Sequence, residues 1–142
     1  MGRFVLPRWI GDYHHIPYVV HGRDENGLDC WGLVRLVYKN HYGIDLPCLA
    51  TEYVGTDVQN GGELSSTISA EKTAWRAISK NRRQVGDVVV MRYLGVPMHV
   101  GVVISEDNML HTQKATGVCV TAYTGIKWAN RIEGFYRHAD AE

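Results

Sequence analysis

The stretch GLDCWGLVRLVY, residues 27–38, joins a polar loop to an apolar run, and a cysteine directly follows an aspartate at the junction. Asp29 is a favoured N-cap residue whose side-chain oxygen can accept a hydrogen bond from a backbone N–H of the first turn, so the sequence predicts a helix starting at Cys30. From there apolar residues recur at Cys30, Leu33, Val34 and Val37, with Tyr38 or His41 next, which is the spacing of one helix face. Gly43 ends the helix and IDLP leads away from it. A thiol at the first helical position meets unpaired N–H groups and the positive end of the helix dipole, both of which favour the thiolate. The same N–H groups can hold the negative oxygen that forms when a thiolate attacks a carbonyl. Cys30 is therefore a candidate nucleophile, set against the common role of a free cysteine as a small core residue.

Upstream of this helix, residues 1–29 are rich in Pro, Gly and His without sustained periodicity and read as an irregular arm. Downstream, residues 44–62 read as a long loop closed by NGG. A second amphipathic helix is predicted over residues 66–80, with Ile68, Trp75 and Ile78 facing inward. Beyond it the texture changes. GDVVVMRY, MHVGVVIS, NMLHTQ, GVCVTAY and RIEGFYR are short β-branched and aromatic runs separated by turn residues, the pattern of antiparallel strands. Helices followed by strands imply an α+β domain with N-terminal helices packed on one face of an antiparallel sheet.

Two of these strands carry histidines, His99 in MHVGVVI and His111 in NMLHT, with SEDN between them. A cysteine nucleophile needs an imidazole to take and return its proton, and that imidazole needs a third group to fix its tautomer. Both rings can share one face only if the hairpin pairs residues of like parity, which requires an odd-numbered loop or a bulge. The remaining histidines, His14, His15, His21, His41 and His138, fall in loops, at the helix end or in the tail, and no HExxH-like spacing supports a metal site.

Size and charge narrow the classes. The chain has 142 residues, as many Lys and Arg as Asp and Glu (15 each), and no basic tail, so it lacks the positive charge that nucleic acid requires. No run approaches the roughly 20 apolar residues of a membrane span, and MGRFVLPRWIGDYHH is too short in apolar residues for a signal peptide, so a soluble, cytoplasmically made chain is expected. Three cysteines, Cys30, Cys48 and Cys119, without CxxC spacing argue against a disulfide framework or a cysteine zinc site. A single domain over 1–142, with 1–17 as the arm, is expected.

Together these residues resemble the NlpC-type cell-wall peptidases, a papain-like family of cysteine hydrolases. The family's aspartate–cysteine pair at a helix start, GD before a strand, HVG on a strand and a polar residue on the next strand correspond to DCWGLVRLVY, VGDVVV, HVGVVI and MLHT. Tyr18, twelve residues before Cys30, matches a typical tyrosine. His21 stands where the first of two glycines is common, and Trp31 replaces the usual serine, either packing against the sheet or reshaping the substrate pocket. DCWG, and RIEGFYR near the end, look like the short phage-tail members. The resemblance implies a papain-like NlpC-type fold and a catalytic set of Cys30, His99 and His111. It also implies oxyanion or substrate roles for Tyr18, Asp29 and Trp31, with no cofactor. The implied substrate is the peptidoglycan stem peptide, at its γ-D-glutamyl bond to the diamino acid. The implied setting is a phage or prophage tail tip, where tail-tip proteins are partners and the enzyme, made in the host cytoplasm, acts in the periplasm or cell wall. Alternatives are a non-catalytic structural tail-tip or peptidoglycan-binding protein, a secreted antibacterial amidase effector, and acyl transfer to an amine or lipid instead of water.

Overall fold

The computed structural model describes residues 7–47, 75–93 and 96–141. A two-stranded hairpin, β1 (Arg23–Asp24) and β2 (Gly27–Leu28), delivers the chain to α1 (Cys30–Tyr42). Six strands follow: β3 (Trp75–Ile78), β4 (Val88–Tyr93), β5 (Val96–Val103), β6 (Asn108–Gln113), β7 (Gly117–Ala122) and β8 (Ile132–His138). They form one sheet in the order β3-β8-β4-β5-β6-β7, every neighbouring pair antiparallel. Among the described residues α1 is the one α-helix, so the expected α+β layering holds with a single helix where helices were expected.

The central strands β4, β5 and β6 alternate between two cores. Val88, Val90, Val100, Val102, Ile104, Leu110 and Val118 meet Leu33, Val34, Val37 and Tyr38 of α1. On the other face Val89, Met91, Val103 and Met109 pack with Tyr123, Trp128 and Phe135. The sheet is thus apolar on both faces, and alternate residues of one strand serve different partners.

This arrangement corrects the helix predicted over 66–80. Trp75–Ile78 is an edge strand paired to β8, Trp75 opposite His138 and Ile78 opposite Phe135. Their separation of three, read as one helix face, instead puts Trp75 toward the α1 core and Ile78 toward the other. Residues 66–74, the rest of the loop expected over 44–62 after Pro47, and Cys48 lie outside the described residues.

Two anchors hold one end of the sheet. Asp87, in the GD pair, receives Nε and Nη2 of Arg137 at 2.7 and 2.9 Å and the N–H of Gln84 at 2.9 Å. This bidentate, buried pair ties the start of β4 to the end of β8. The preceding Gly86 has φ +96°, a conformation that L side chains rarely adopt, so the turn demands glycine. Beside it Arg83 donates to the Tyr123 hydroxyl at 2.7 Å and to the Glu106 carbonyl at 2.7 Å, pinning the loop between β5 and β6.

Candidate active site

Asp29 caps α1 as the sequence predicts. Its Oδ1 accepts the Gly32 N–H at 2.8 Å and Arg23 Nη1 at 2.7 Å, while Oδ2 accepts the His21 N–H at 3.1 Å. The carboxylate is fully buried, so these bonds offset its desolvation and lock the β1–β2 hairpin onto the helix start. His21 holds φ 62°, the left-handed region that favours glycine, at a cost of about 1–2 kcal/mol for an L side chain. That conformation aims its N–H at Asp29. Tyr18 bridges Leu28 in parallel, two residues before Cys30, and its hydroxyl is buried.

The helix start carries Cys30 to β5. It packs there with Val100, and the N–H groups of Val100 and Trp31 favour its ionised form. The β5–β6 ladder joins Val102 to Leu110 and Val103 to Met109 and extends no further toward Val100. The thiol is 1% exposed, and burial, then the charge of Asp29, pushes its pKa up to about 12. The two N–H groups and Arg23 pull the other way without prevailing. This corrects the expected resting thiolate. A helix end contributes about 0.3–1 kcal/mol to an ion, up to ~2 when partly buried, whereas burying an ion costs several.

The histidines meet as the parity rule requires. Ile104 donates to the Asn108 carbonyl at 3.0 Å, so Asn108 belongs to the strand and the connecting loop is Ser105–Asp107, an odd number of residues. Both rings therefore share the face of Val103 and Met109, and His99 Nε2 lies 2.8 Å from His111 Nδ1. A bulge at Met98, where β4 partners pass from His99 to Pro97, adjoins the first of them. His99 is 7% exposed and His111 fully buried. Burial lowers the pKa of His99 to about 3, with His111 adding to the shift, and burial, then Lys127, lowers that of His111 to about 4. Both rings are neutral at pH 7.

Two further residues complete the surroundings without having been marked by the sequence. Trp128 stacks on His99 at 5.7 Å between centroids and meets His111 edge-on at 5.5 Å. Thr121 Oγ1 lies 2.8 Å from His111 Nε2. Thr121 sits in the alternating run GVCVTAY, but its approach to His111 depends on a register that the run does not encode. Trp128 lies in a stretch without periodicity. Trp31, by contrast, is buried, donates Nε1–H to the Pro47 carbonyl at 2.9 Å and meets Trp75 edge-on. Here it packs beneath β3.

Cys30 packs with Val100 and Val102 on the α1 face of the sheet, whereas the buried pair of neutral imidazoles packs on Trp128 at the face of Val103 and Met109. Among the described residues no group of three His, Cys, Asp or Glu is placed to hold a metal ion. The NlpC/P60 family profile matches residues 15–137, taking in Tyr18, Cys30, His99 and His111. The chain belongs to the NlpC/P60 family. This NlpC/P60 chain is similar to the murein DD-endopeptidase MepS/murein LD-carboxypeptidase of Escherichia coli K12, at 22% identity over 120 residues, covering 84% of the chain and 54% of that relative. It spans about half the length of the curated relatives it matches. Its fold is shared with an NlpC/P60 protein of Bacillus cereus ATCC 10987, at TM-score 0.68 and 21% identity, covering 95% of this chain and 41% of that one. The NlpC/p60 domain of the peptidoglycan hydrolase SagA aligns with TM-score 0.56 and 23% identity over 89% of this chain and 90% of that one.

Proposed function

We propose that the protein is a cysteine peptidase that hydrolyses an amide of the peptidoglycan stem peptide, with Cys30 as nucleophile, His99 as base and His111 as the group orienting it. The observation that carries this reading is the buried hydrogen bond between His99 and His111. Starting from a neutral thiol and a neutral imidazole, proton transfer accompanies attack. The sulfur bonds to the carbonyl carbon as its proton passes to His99 Nδ1, and the Cys30 N–H and Tyr18 hydroxyl receive the oxyanion. His99 then protonates the leaving amine as the C–N bond breaks, and water, deprotonated by His99, hydrolyses the thioester. With the sulfur 1% exposed, a substrate carbonyl reaches it only when the packing over it opens. The bond proposed is that between γ-D-glutamate and the diamino acid. The setting proposed is a phage or prophage tail tip, supported by the likeness of DCWGLVRLVY to the short tail members. Absence of the protein from purified tails would count against that setting.

Digestion of purified muropeptides, followed by mass spectrometry, tests the chemistry. Cys30→Ala is expected to lower the rate by about 10⁴ or more. A variant as fast as the parent removes the peptidase assignment, and a product carrying an added amine or lipid identifies transfer instead of hydrolysis. One observation favours a second reading, a non-catalytic tail-tip or wall-binding component: the sealed, protonated sulfur. Absence of turnover by the wild-type protein on every stem peptide offered would support it.

A further inference from the structure

Where β3 closes the sheet, a cavity of about 470 Å³ is lined by Arg76, Ala77, Ile78, Ser79, Arg82 and Arg137. Three of the six are arginines and none is a carboxylate, in a chain whose formal charges balance at 15 and 15. Neither Cys30 nor either buried histidine lines it. The sheet register accounts for this concentration of charge. Arg76 on β3 stands directly opposite Arg137 on β8, so the two side chains leave the same face with Cβ atoms about 5 Å apart. Like charges in that relation destabilise a sheet. Asp87 answers Arg137, accepting its Nε and Nη2, and Nη2 also reaches the Arg82 carbonyl at 3.2 Å. That last bond sets the turn Lys80–Arg82 against the end of β8 and brings a third guanidinium to the cavity.

We propose that this cavity binds the phosphate group of a small ligand. A guanidinium keeps its charge at any physiological pH and presents a planar fork of N–H donors that matches phosphate oxygens. Here the three guanidiniums come from three elements, β3, the turn Lys80–Arg82 and β8. A tetrahedral phosphate turns oxygens in several directions and can meet donors from all three, whereas a planar carboxylate offers two oxygens in one plane. Arg137, held by Asp87, lends fixed positive charge to the site, and the exposed Arg76 and Arg82 bring donors from its two walls. Ser79 makes no side-chain cap bond to the turn it precedes, and its hydroxyl adds a neutral donor. The volume falls within the roughly 300–1,000 Å³ of small-molecule sites, and Ala77 and Ile78 give the carbon skeleton of a phosphorylated ligand an apolar wall.

The inference stands apart from the peptidase reading, and its test needs no turnover. Proton–nitrogen NMR of the whole chain is followed while inorganic phosphate, glycerol 3-phosphate or acetate is added at constant ionic strength. Phosphate is expected to shift the backbone amides of residues 76–82 saturably, with a midpoint at least about tenfold below that of acetate. Tighter binding of glycerol 3-phosphate than of inorganic phosphate identifies a phosphomonoester as the ligand, and the reverse identifies free phosphate; either supports the site. Arg76→Gln and Arg82→Gln, at exposed positions that leave the Arg137–Asp87 anchor in place, are each expected to weaken phosphate binding by about tenfold or more. Lys39→Gln removes the same charge from α1, which packs on the other face of the sheet, and is expected to leave the midpoint unchanged. Shifts that never saturate, acetate binding as tightly as phosphate, or a Lys39→Gln loss equal to that of the arginine variants would reduce the effect to diffuse charge and overturn the inference.

Discussion

At residue 30 two environments compete for one proton. The helix start and the Val100 N–H favour the thiolate; burial and Asp29 favour the thiol, and they prevail, at about 12. Sequence spacing locates the helix start but carries no measure of how deeply it is buried, which is why the position of Cys30 was legible and its charge was not. The two free cysteines among the described residues therefore differ in reactivity. Cys119 is half-buried on the edge strand. With a pKa near 12, the thiolate fraction of Cys30 at pH 8 is on the order of 10⁻⁴, against roughly a quarter for an ordinary thiol. Iodoacetamide at pH 8, read by peptide mass mapping, is expected to label the half-buried Cys119 faster than the buried Cys30, with the Cys30 rate still rising at pH 10. Fast labelling of Cys30 that is already flat above pH 6 would establish a resting thiolate and refute this ordering.

The register of α1 against the hairpin before it depends on a glycine rather than on the apolar stripe. A Cβ on Gly32 would lie 1.9 Å from the Gly22 carbonyl oxygen, and the Gly32 N–H is one of the three groups held by Asp29. Ala improves helix propensity by about 1 kcal/mol, but forcing backbone apart in a packed site costs typically 1–3 kcal/mol, occasionally more. Gly32→Ala is accordingly expected to destabilise by about 1–2 kcal/mol in urea unfolding; a gain in stability would mean that the helix start has room to shift. Elements of this kind were partly legible. The cap at Asp29, the stop at Gly43 and five of the strands follow from local rules: a carboxylate before an apolar run, a left-handed glycine, and alternation between turn residues. Trp75–Ile78 was misread because a strand with a core on both faces lacks alternation, leaving a spacing of three that also fits a helix. His99 and His111 could be named from their strands, whereas Thr121 and Trp128 required the β6–β7 register and the loop before β8, which no periodicity specifies.

Across the whole molecule, the two neutral histidines couple the stability of the sheet to pH. In an unfolded chain each titrates near 6.5; folded, burial holds them at about 3 and about 4. Between those limits the unfolded chain binds protons that the folded one refuses, so stability rises with pH across this window and is lost as pH falls below about 6.5. pH 5 lies about 1.5 units below the unfolded value and above both folded ones, a loss of about 2 kcal/mol apiece and about 4 for the pair. His41, which burial also shifts downward, adds in the same direction. The interval from pH 7 to pH 5 stays above the ordinary carboxylate range, so a change there reports mainly on imidazoles. Urea unfolding at the two values is expected to show a fall of about 4 kcal/mol for the wild type and a much smaller fall for the double variant His99→Gln/His111→Gln, whose side chains do not titrate. Equal stability of the wild type at pH 5 and pH 7 would mean that the rings accept protons in the folded state. An imidazolium pair in contact at 2.8 Å cannot keep its Nε2 to Nδ1 hydrogen bond, so that result would also remove the relay on which His99 depends.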